Sequence, residues 1–385
     1  MKRVALVGLS LALPLAGCDC GEPIANVDAG VVVDSGVVGE GEGEGEEGEG
    51  EGEGEGEGEG EGEGEGEGEG EPAFVRFVAV GDTGHGNDEQ YAVGDAMAEA
   101  CAAAGGCAFA VLLGDNIYDS GVDGVDDPQW QEKFELPFAS VPFPFYGTLG
   151  NHDYGVPPAL DFLGIAGGIG LSPAAGTAQV AYSGVTDKFI MPDTQYMFVA
   201  GPVQFVSLNT TSLFWRDLSG VERSTGFDDE NARLEANLAT WAAQSTSSWR
   251  IGFGHHPYLS NGPHGNAGRY DGVFIDGLIG GGTGLKEFFE EHVLGSFDFY
   301  LCGHDHNLQD VGFVDGTELI VSGAGSGTTD LEGDNVVEAQ SDQIGFFILE
   351  ASDTQMVIKM ITVRDPGDTT TPEPWTIAHT RTVTH

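Results

Sequence analysis

Leu112-Leu113-Gly114-Asp115-Asn116-Ile117-Tyr118 is an apolar run that stops at a glycine and a carboxylate, with a phenol three residues later. Phe109 to Leu113 read as a buried strand, which puts Asp115 just past a strand end, where open α/β sheets take their ligands. Four other stretches repeat the pattern. They are Val78-Ala79-Val80-Gly81-Asp82-Thr83-Gly84, Thr148-Leu149-Gly150-Asn151-His152-Asp153, Ile251-Gly252-Phe253-Gly254-His255-His256-Pro257 and Tyr300-Leu301-Cys302-Gly303-His304-Asp305-His306. Five apolar runs, each followed by Gly and then Asp, Asn or His, imply one site assembled at the ends of several strands.

Around these blocks the pattern alternates. Phe74 to Val80, a helix from Asp88 to Ala104 and Phe109 to Leu113 make a βαβ unit. A short helix is expected over 128–138 and a strand over 142–149. Residues 155–184, rich in Gly, Ala and Pro, show no clear period and read as loop with short elements. Two strands follow within 195–209, broken by Gly201-Pro202, then a helix over 228–243 with acidic residues at its start. Strands at 249–254, 297–302 and 318–322 alternate with a helix at 284–293, and Gly345 to Val363 reads as a closing hairpin. The fold class is α/β, with a mixed sheet or two sheets packed together.

Low-complexity sequence occupies much of the first 71 residues, so the globular part is 72–385. Seventeen glutamates in the 39–71 Glu-Gly tract and a net −2 on residues 1–38 separate the −49 of the whole chain from −30 on residues 72–385. Such a surface repels nucleic acid and anionic lipid, so neither is an expected partner. Residues 1–18 have the charged start and short apolar run of a secretory signal, too short to span a bilayer. They end in Leu15-Ala16-Gly17-Cys18, which resembles a bacterial lipoprotein processing box. The expectation is export to the bacterial cell envelope and lipid anchoring at Cys18, with ordinary signal cleavage as the alternative. Residues 19–71 read as a disordered acidic tether, since alternating Gly and Glu cannot build a core. Cys101 and Cys107 flank Gly105-Gly106, a flexible reversal that could pair them as a disulfide; Cys302 reads as a small core residue.

The five strand ends supply Asp82, Asp115, Tyr118, Asn151, His255, His304 and His306. That inventory suits two metal ions, which need one shared carboxylate and separate O and N ligands. A phenolate is a poor ligand for Mg²⁺ or Ca²⁺ but suits ferric iron. His256 should point away from the ligands by strand alternation. Asp153 and Asp305 read as residues that orient their neighbours, and His85, His292, His379 and His385 as solvated. Nothing resembles a P-loop or a Ser-His-Asp order.

Taken in order, G-D-T-G, G-D-N-I-Y, G-N-H-D, G-H-H-P and G-H-D-H resemble the five metal-binding blocks of the purple acid phosphatases, within the calcineurin-like metallophosphoesterases. The likeness is greatest to the small mammalian tartrate-resistant type. It covers most of 74–363 and implies a four-layer α-β-β-α sandwich of two mixed sheets flanked by helices. It also implies a ferric ion held by Asp82, Asp115, Tyr118 and His306. A divalent ion (Fe, Zn or Mn) would be held by Asp115, Asn151, His255 and His304. His152 and His264 match the histidines that contact substrate. Where the mammalian type carries Glu before the last of these, this chain has Pro263, which leaves the leaving-group acid open. The implied activity is hydrolysis of small phosphate monoesters by a metal-held hydroxide, in a protein expected to be monomeric. The alternatives are a phosphodiesterase or phospholipase on the same metals, or a non-catalytic surface lipoprotein that binds iron or phosphate.

Overall fold

Residues 73–155, 170–216, 219–270 and 282–385 are described by a computed structural model. The signal-like and Glu-Gly segments, with Cys18, lie outside the described residues. Phe74–Val80 (β1), Phe109–Leu113 (β2), Phe145–Thr148 (β3) and Phe189–Ile190 (β4) run parallel in one sheet. Gly345–Ser352 (β12), Gln355–Val363 (β13) and Trp375–Thr384 (β14) extend it antiparallel on the other side of β1. The second sheet holds Met197–Ala200 (β5), Val203–Ser207 (β6), Trp249–Phe253 (β7), Phe299–Cys302 (β8), Leu308–Val314 (β9), Thr317–Ser322 (β10) and Ala339–Ser341 (β11), in the order β11-β9-β10-β8-β7-β6-β5. Both sheets are therefore mixed.

Strand alternation sorts the second sheet's side chains into two cores. Phe299 and Leu301 join the core between the sheets, while Tyr300 and Cys302 join a second core with Leu234, Leu238, Leu285 and Phe288 from the helices outside. The inter-sheet core is aromatic at its centre. Phe77 meets Phe205 edge to face at 4.9 Å, and Phe198 stacks on Phe205 at 4.8 Å. Helix α1, Asp88–Ala103, covers the first sheet; Asn87 caps it by accepting from Gln90 N, and Asp88 and Glu89 suit its N-terminal dipole. Two sheets flanked by helices are what the resemblance implied.

The α1 exit shows how local sequence sets local structure. Gly105 and Gly106 both take positive φ, and the reversal lets Cys101 and Cys107 form a disulfide, as their spacing allowed. Cys302 is buried with its thiol on the Ile320 carbonyl. Some expectations gain detail or need correction. Within 155–184, Pro173–Tyr182 is a helix; its Pro sits at the start, where the missing N–H has no cost, and its uncharged Ala-rich face gave no visible period. Over 128–138 the chain is helical at 129–135, as expected, with Gln131–Glu135 wound as a wide π-type turn. Gly345 to Val363 does form a hairpin, but β14 follows it. Arg381 on β14 donates to both Asp310 oxygens on β9 (2.8 and 2.7 Å) and to Glu318 on β10 (2.8 Å), tying one sheet to the other.

Candidate metal centre

The parallel strands β1, β2, β3, β7 and β8 all end at one edge of the sandwich, so their following residues converge. The glycines explain why these blocks share a pattern. A Cβ at Gly150 would land on Asp115 Oδ1, and one at Gly303 on Asp82 Oδ2. Each glycine therefore leaves room for a carboxylate from a neighbouring strand. Asp82, Asp115 and His304 themselves sit at φ of 56°, 51° and 71°, a left-handed backbone that costs a non-glycine residue energy. Such strain at three chemically active residues in one place points to function.

Each carboxylate has one oxygen fixed by a backbone N–H and one left for other duty. His304 N donates to Asp82 Oδ2 at 2.9 Å, and His152 N donates to Asp115 Oδ1 at 2.9 Å. The remaining oxygens belong to two hubs. Tyr118 Oη lies 2.9 Å from Asp82 Oδ1, 2.9 Å from Asp115 Oδ2 and 3.0 Å from His306 Nε2. His255 Nε2 lies 2.9 Å from Asn151 Oδ1, 3.1 Å from His304 Nδ1 and 3.3 Å from the same Asp115 Oδ2. The phenol can give one proton but faces two carboxylate oxygens and an imidazole nitrogen, and His255 Nε2 can give one but faces an amide oxygen, a carboxylate oxygen and a second imidazole nitrogen. His304 Nε2 is buried and has no hydrogen-bond partner among the described residues. Lone pairs in excess of protons, in a buried place, fit cations. Ligand atoms of Asp82, Asp115 and His255 lie within 4.8 Å of one another.

The electrostatics agree. Burial opposes ionisation of Asp115, but the charges of His255 and His152 outweigh it and hold its pKa well below the usual carboxylate range. Burial likewise opposes a charged His255, yet Asp115 draws its pKa up to about 9. Burial, and then the Asp115 and Asp82 charges, push the Tyr118 phenol far above its ordinary value. Burial, followed by the neighbouring histidines, drives His304 well down, so it is a neutral lone-pair donor.

All nine residues singled out in the sequence gather here. His152 donates through Nδ1 to the Asp119 carbonyl at 2.8 Å, and its ring lies 4.5 Å from that of Tyr118. The His264 ring stacks on His304 at 4.3 Å, and its N–H donates to Asp305 Oδ1 at 2.9 Å. His256 does not turn away as strand alternation suggested: its ring lies 4.5 Å from that of His304, with Nδ1 3.0 Å from Thr210 Oγ1. Asp153 accepts from the N–H groups of Asn116, Ile117 and Gly150 and from Gln179, bracing the turn that presents Asp115. Burial and the charge of Asp115 raise its pKa to about 6. Thr210 Oγ1 accepts the N–H groups of both His255 and His256, which a lone Thr in a polar loop did not advertise. Of the histidines expected to be solvated, His85 and His385 are exposed and His292 and His379 half-buried, yet each has a neighbour. His379 lies 3.3 Å from Asp310, His385 stacks on Trp249 at 3.7 Å, His292 lies 3.7 Å from Glu291, and His85 stacks on Tyr118 at 4.0 Å.

The calcineurin-like phosphoesterase family profile matches residues 75–308, which contain every block described above. The chain belongs to that family. The family is described by its chemistry, the hydrolysis of phosphoric ester bonds. This phosphoesterase is 29% identical over 269 residues to the rabbit (Oryctolagus cuniculus) tartrate-resistant acid phosphatase type 5, covering 66% of this chain and 73% of the relative. It is 26% identical to purple acid phosphatase 3 of Arabidopsis thaliana, over 64% of this chain and 63% of the relative's length. The phosphoesterase fold also superposes on the Plasmodium inner-membrane-complex anchor GAP50 with a TM-score of 0.57. That match has 20% identity and covers 81% of this chain and 89% of the other.

Proposed function

We propose that this phosphoesterase is an acid phosphatase that hydrolyses phosphate monoesters with two metals, Fe(III) and a divalent Fe, Zn or Mn. The two proton-poor hubs that share Asp115 Oδ2 are the observation that supports this reading. Asp82, Asp115, Tyr118 and His306 would hold the ferric ion, since carboxylates and a phenolate are hard, charged donors. Asp115, Asn151, His255 and His304 would hold the divalent one. When bound, the two ions would polarise a phosphoryl oxygen and make water a competent nucleophile at mild pH.

The chain's own residues position the substrate and move protons. His152 has Nδ1 committed to the Asp119 carbonyl, so Nε2 is the nitrogen that can take up a proton and hold a phosphoryl oxygen. His264 is fixed at its backbone by Asp305 and at its ring by His304, as a proton donor to a leaving oxygen must be. The test is hydrolysis by the purified chain of an aryl phosphate and a bis-aryl phosphate, with and without chelator, beside metal analysis and a visible spectrum. Monoester turnover that chelator removes and iron plus zinc restores is expected, from a protein coloured by phenolate-to-iron charge transfer. Chelator-resistant turnover or faster diester hydrolysis would overturn it. Export and lipid anchoring, read from residues 1–18, belong to the same proposal. Cys18→Ser should move the protein from the membrane fraction to the soluble one, and unchanged membrane association would refute the anchor.

A further inference from the structure

His85 lies outside both hubs, yet its ring covers that of Tyr118, with centroids 4.0 Å apart and planes 18° from parallel. Its Nδ1 is 2.7 Å from Ser326 Oγ. Ser326 in turn gives its single hydroxyl proton to the Asp82 carbonyl, so Oγ must accept at the histidine, and the proton sits on His85 Nδ1. A chain of contacts therefore runs from the backbone of Asp82, through Ser326, to a ring laid flat on Tyr118. Asn87 Nδ2 donates to the Ser326 carbonyl at 2.7 Å, which locks the same two loops from a second point. On the Tyr118 side, the phenol has three partners and one proton, so its hydroxyl alone does not set the plane of the ring. Two rings flank it, and His85, at 4.0 Å and 18°, lies flatter on it than His152, at 4.5 Å and 55°.

We propose that His85 is a positioning residue that holds the Tyr118 ring by its face and so aims the phenol oxygen between Asp82 and Asp115. Offset-stacked rings contribute through shape and quadrupole, and no change of charge on His85 is involved. Partners that orient a metal ligand from behind typically govern its affinity by ~10–100-fold, which is the size of effect expected here. The proposal rests on reading Tyr118 as an iron ligand for that effect, while the clamping of the ring stands apart from it.

The experiment separates the two. Metal-free full chain carrying 3-fluorotyrosine is studied by fluorine NMR, with Tyr118→Phe identifying the Tyr118 signal, in wild type, His85→Ala and His85→Phe. A clamped ring gives separate lines for its two flipped positions; His85→Ala should merge them, and His85→Phe, which keeps a ring on the face, should keep them apart. Iron affinity, followed by the visible band, should then fall ~10–100-fold in His85→Ala and stay within about threefold of wild type in His85→Phe. Ser326→Ala, which cuts the tether and leaves the ring, should fall between them. An unchanged Tyr118 signal in His85→Ala, or equal loss in His85→Phe and His85→Ala, would overturn the proposal. A wild-type protein with a clamped ring and no iron band would sink the iron reading and leave the clamp standing.

Discussion

Around Tyr118 Oη the donors are two carboxylate oxygens and an imidazole, and His306 keeps 22% of its side chain exposed. Around His255 Nε2 they are an amide oxygen, a buried neutral imidazole and the shared Asp115 oxygen. The first hub is charged and reaches the opening. The second shares only one of those carboxylates, and its half-buried member is Asn151. The sheets divide the labour as well: Asp82, Asp115, Tyr118 and Asn151 follow strands of the first sheet, whereas His255, His304 and His306 follow strands of the second. Two different cations can be sorted by such a site because ligand charge and hardness differ between positions only a few ångströms apart.

Removing the shared oxygen breaks the comparison most severely. Asp115→Asn should strip metal from both hubs and lower monoester hydrolysis by more than the ~10–100-fold that outer partners typically govern. Metal analysis of the variant decides it; loss of one ion alone would mean the hubs are independent. The next effect is confined to one side. His264 packs on His304, in the second hub, so His264→Ala should slow alkyl phosphates by ~10²–10⁴-fold and activated aryl phosphates far less, because only a basic leaving group needs a donated proton. Equal losses on both substrates would make His264 a phosphate-binding residue.

Asp153→Asn tests the opposite flank. It keeps the size of the side chain but replaces one acceptor in a nest of N–H donors, so metal affinity should drop ~10–100-fold with little change in leaving-group dependence. Parallel rates on aryl and alkyl substrates check that pattern. The smallest effects concern acid stability away from the hubs. Glu350 on β12 is held below its ordinary pKa, against some burial, by Lys359 and Arg76. The stability it adds is present above about pH 4.5 and lost as pH falls through its folded pKa. Glu230, in the helix Phe227–Gln244, is raised by burial, so its contribution is full below about pH 4.5 and is lost as pH rises through its folded pKa. Urea midpoints should fall less on acidification in Glu350→Gln than in wild type, and more in Glu230→Gln. Parallel curves for the two variants would show that neither site matters.

Much of this was legible in the sequence for a physical reason. Gly150 and Gly303 must be glycine because a carboxylate from another strand fills the space of a Cβ, so the site wrote its own geometry into short local blocks. The β1-α1-β2 unit was equally plain, its apolar runs and Asn87 cap being local signals. What the sequence hid depends on residues far apart in the chain. His85 is exposed, as read, but its anchor Ser326 lies 241 positions away. The brace on the His264 loop was invisible for the same reason. There Asn335 N donates to Asn261 Oδ1 at 2.7 Å, and Asn261 Nδ2 returns a bond to the Asn335 carbonyl at 3.0 Å. The helix Pro173–Tyr182 was missed because its small side chains pack without a polar face to set the period. β14 went unread although its threonines and its Ile and Val favour a strand.

That last strand gives the molecule an order of completion. β14 leaves the ribosome after every other strand described here, and with it comes the arginine that bridges to Asp310 and Glu318. Until then the nascent chain carries Asp310, a fully buried carboxylate in the finished protein, without the cation it is destined to meet. An unpaired carboxylate resists being dried, so the two sheets should stay hydrated along that seam while the rest of the chain is being made. Closure of the sandwich along that seam should therefore wait on β14, whether the chain folds as it is made or after export.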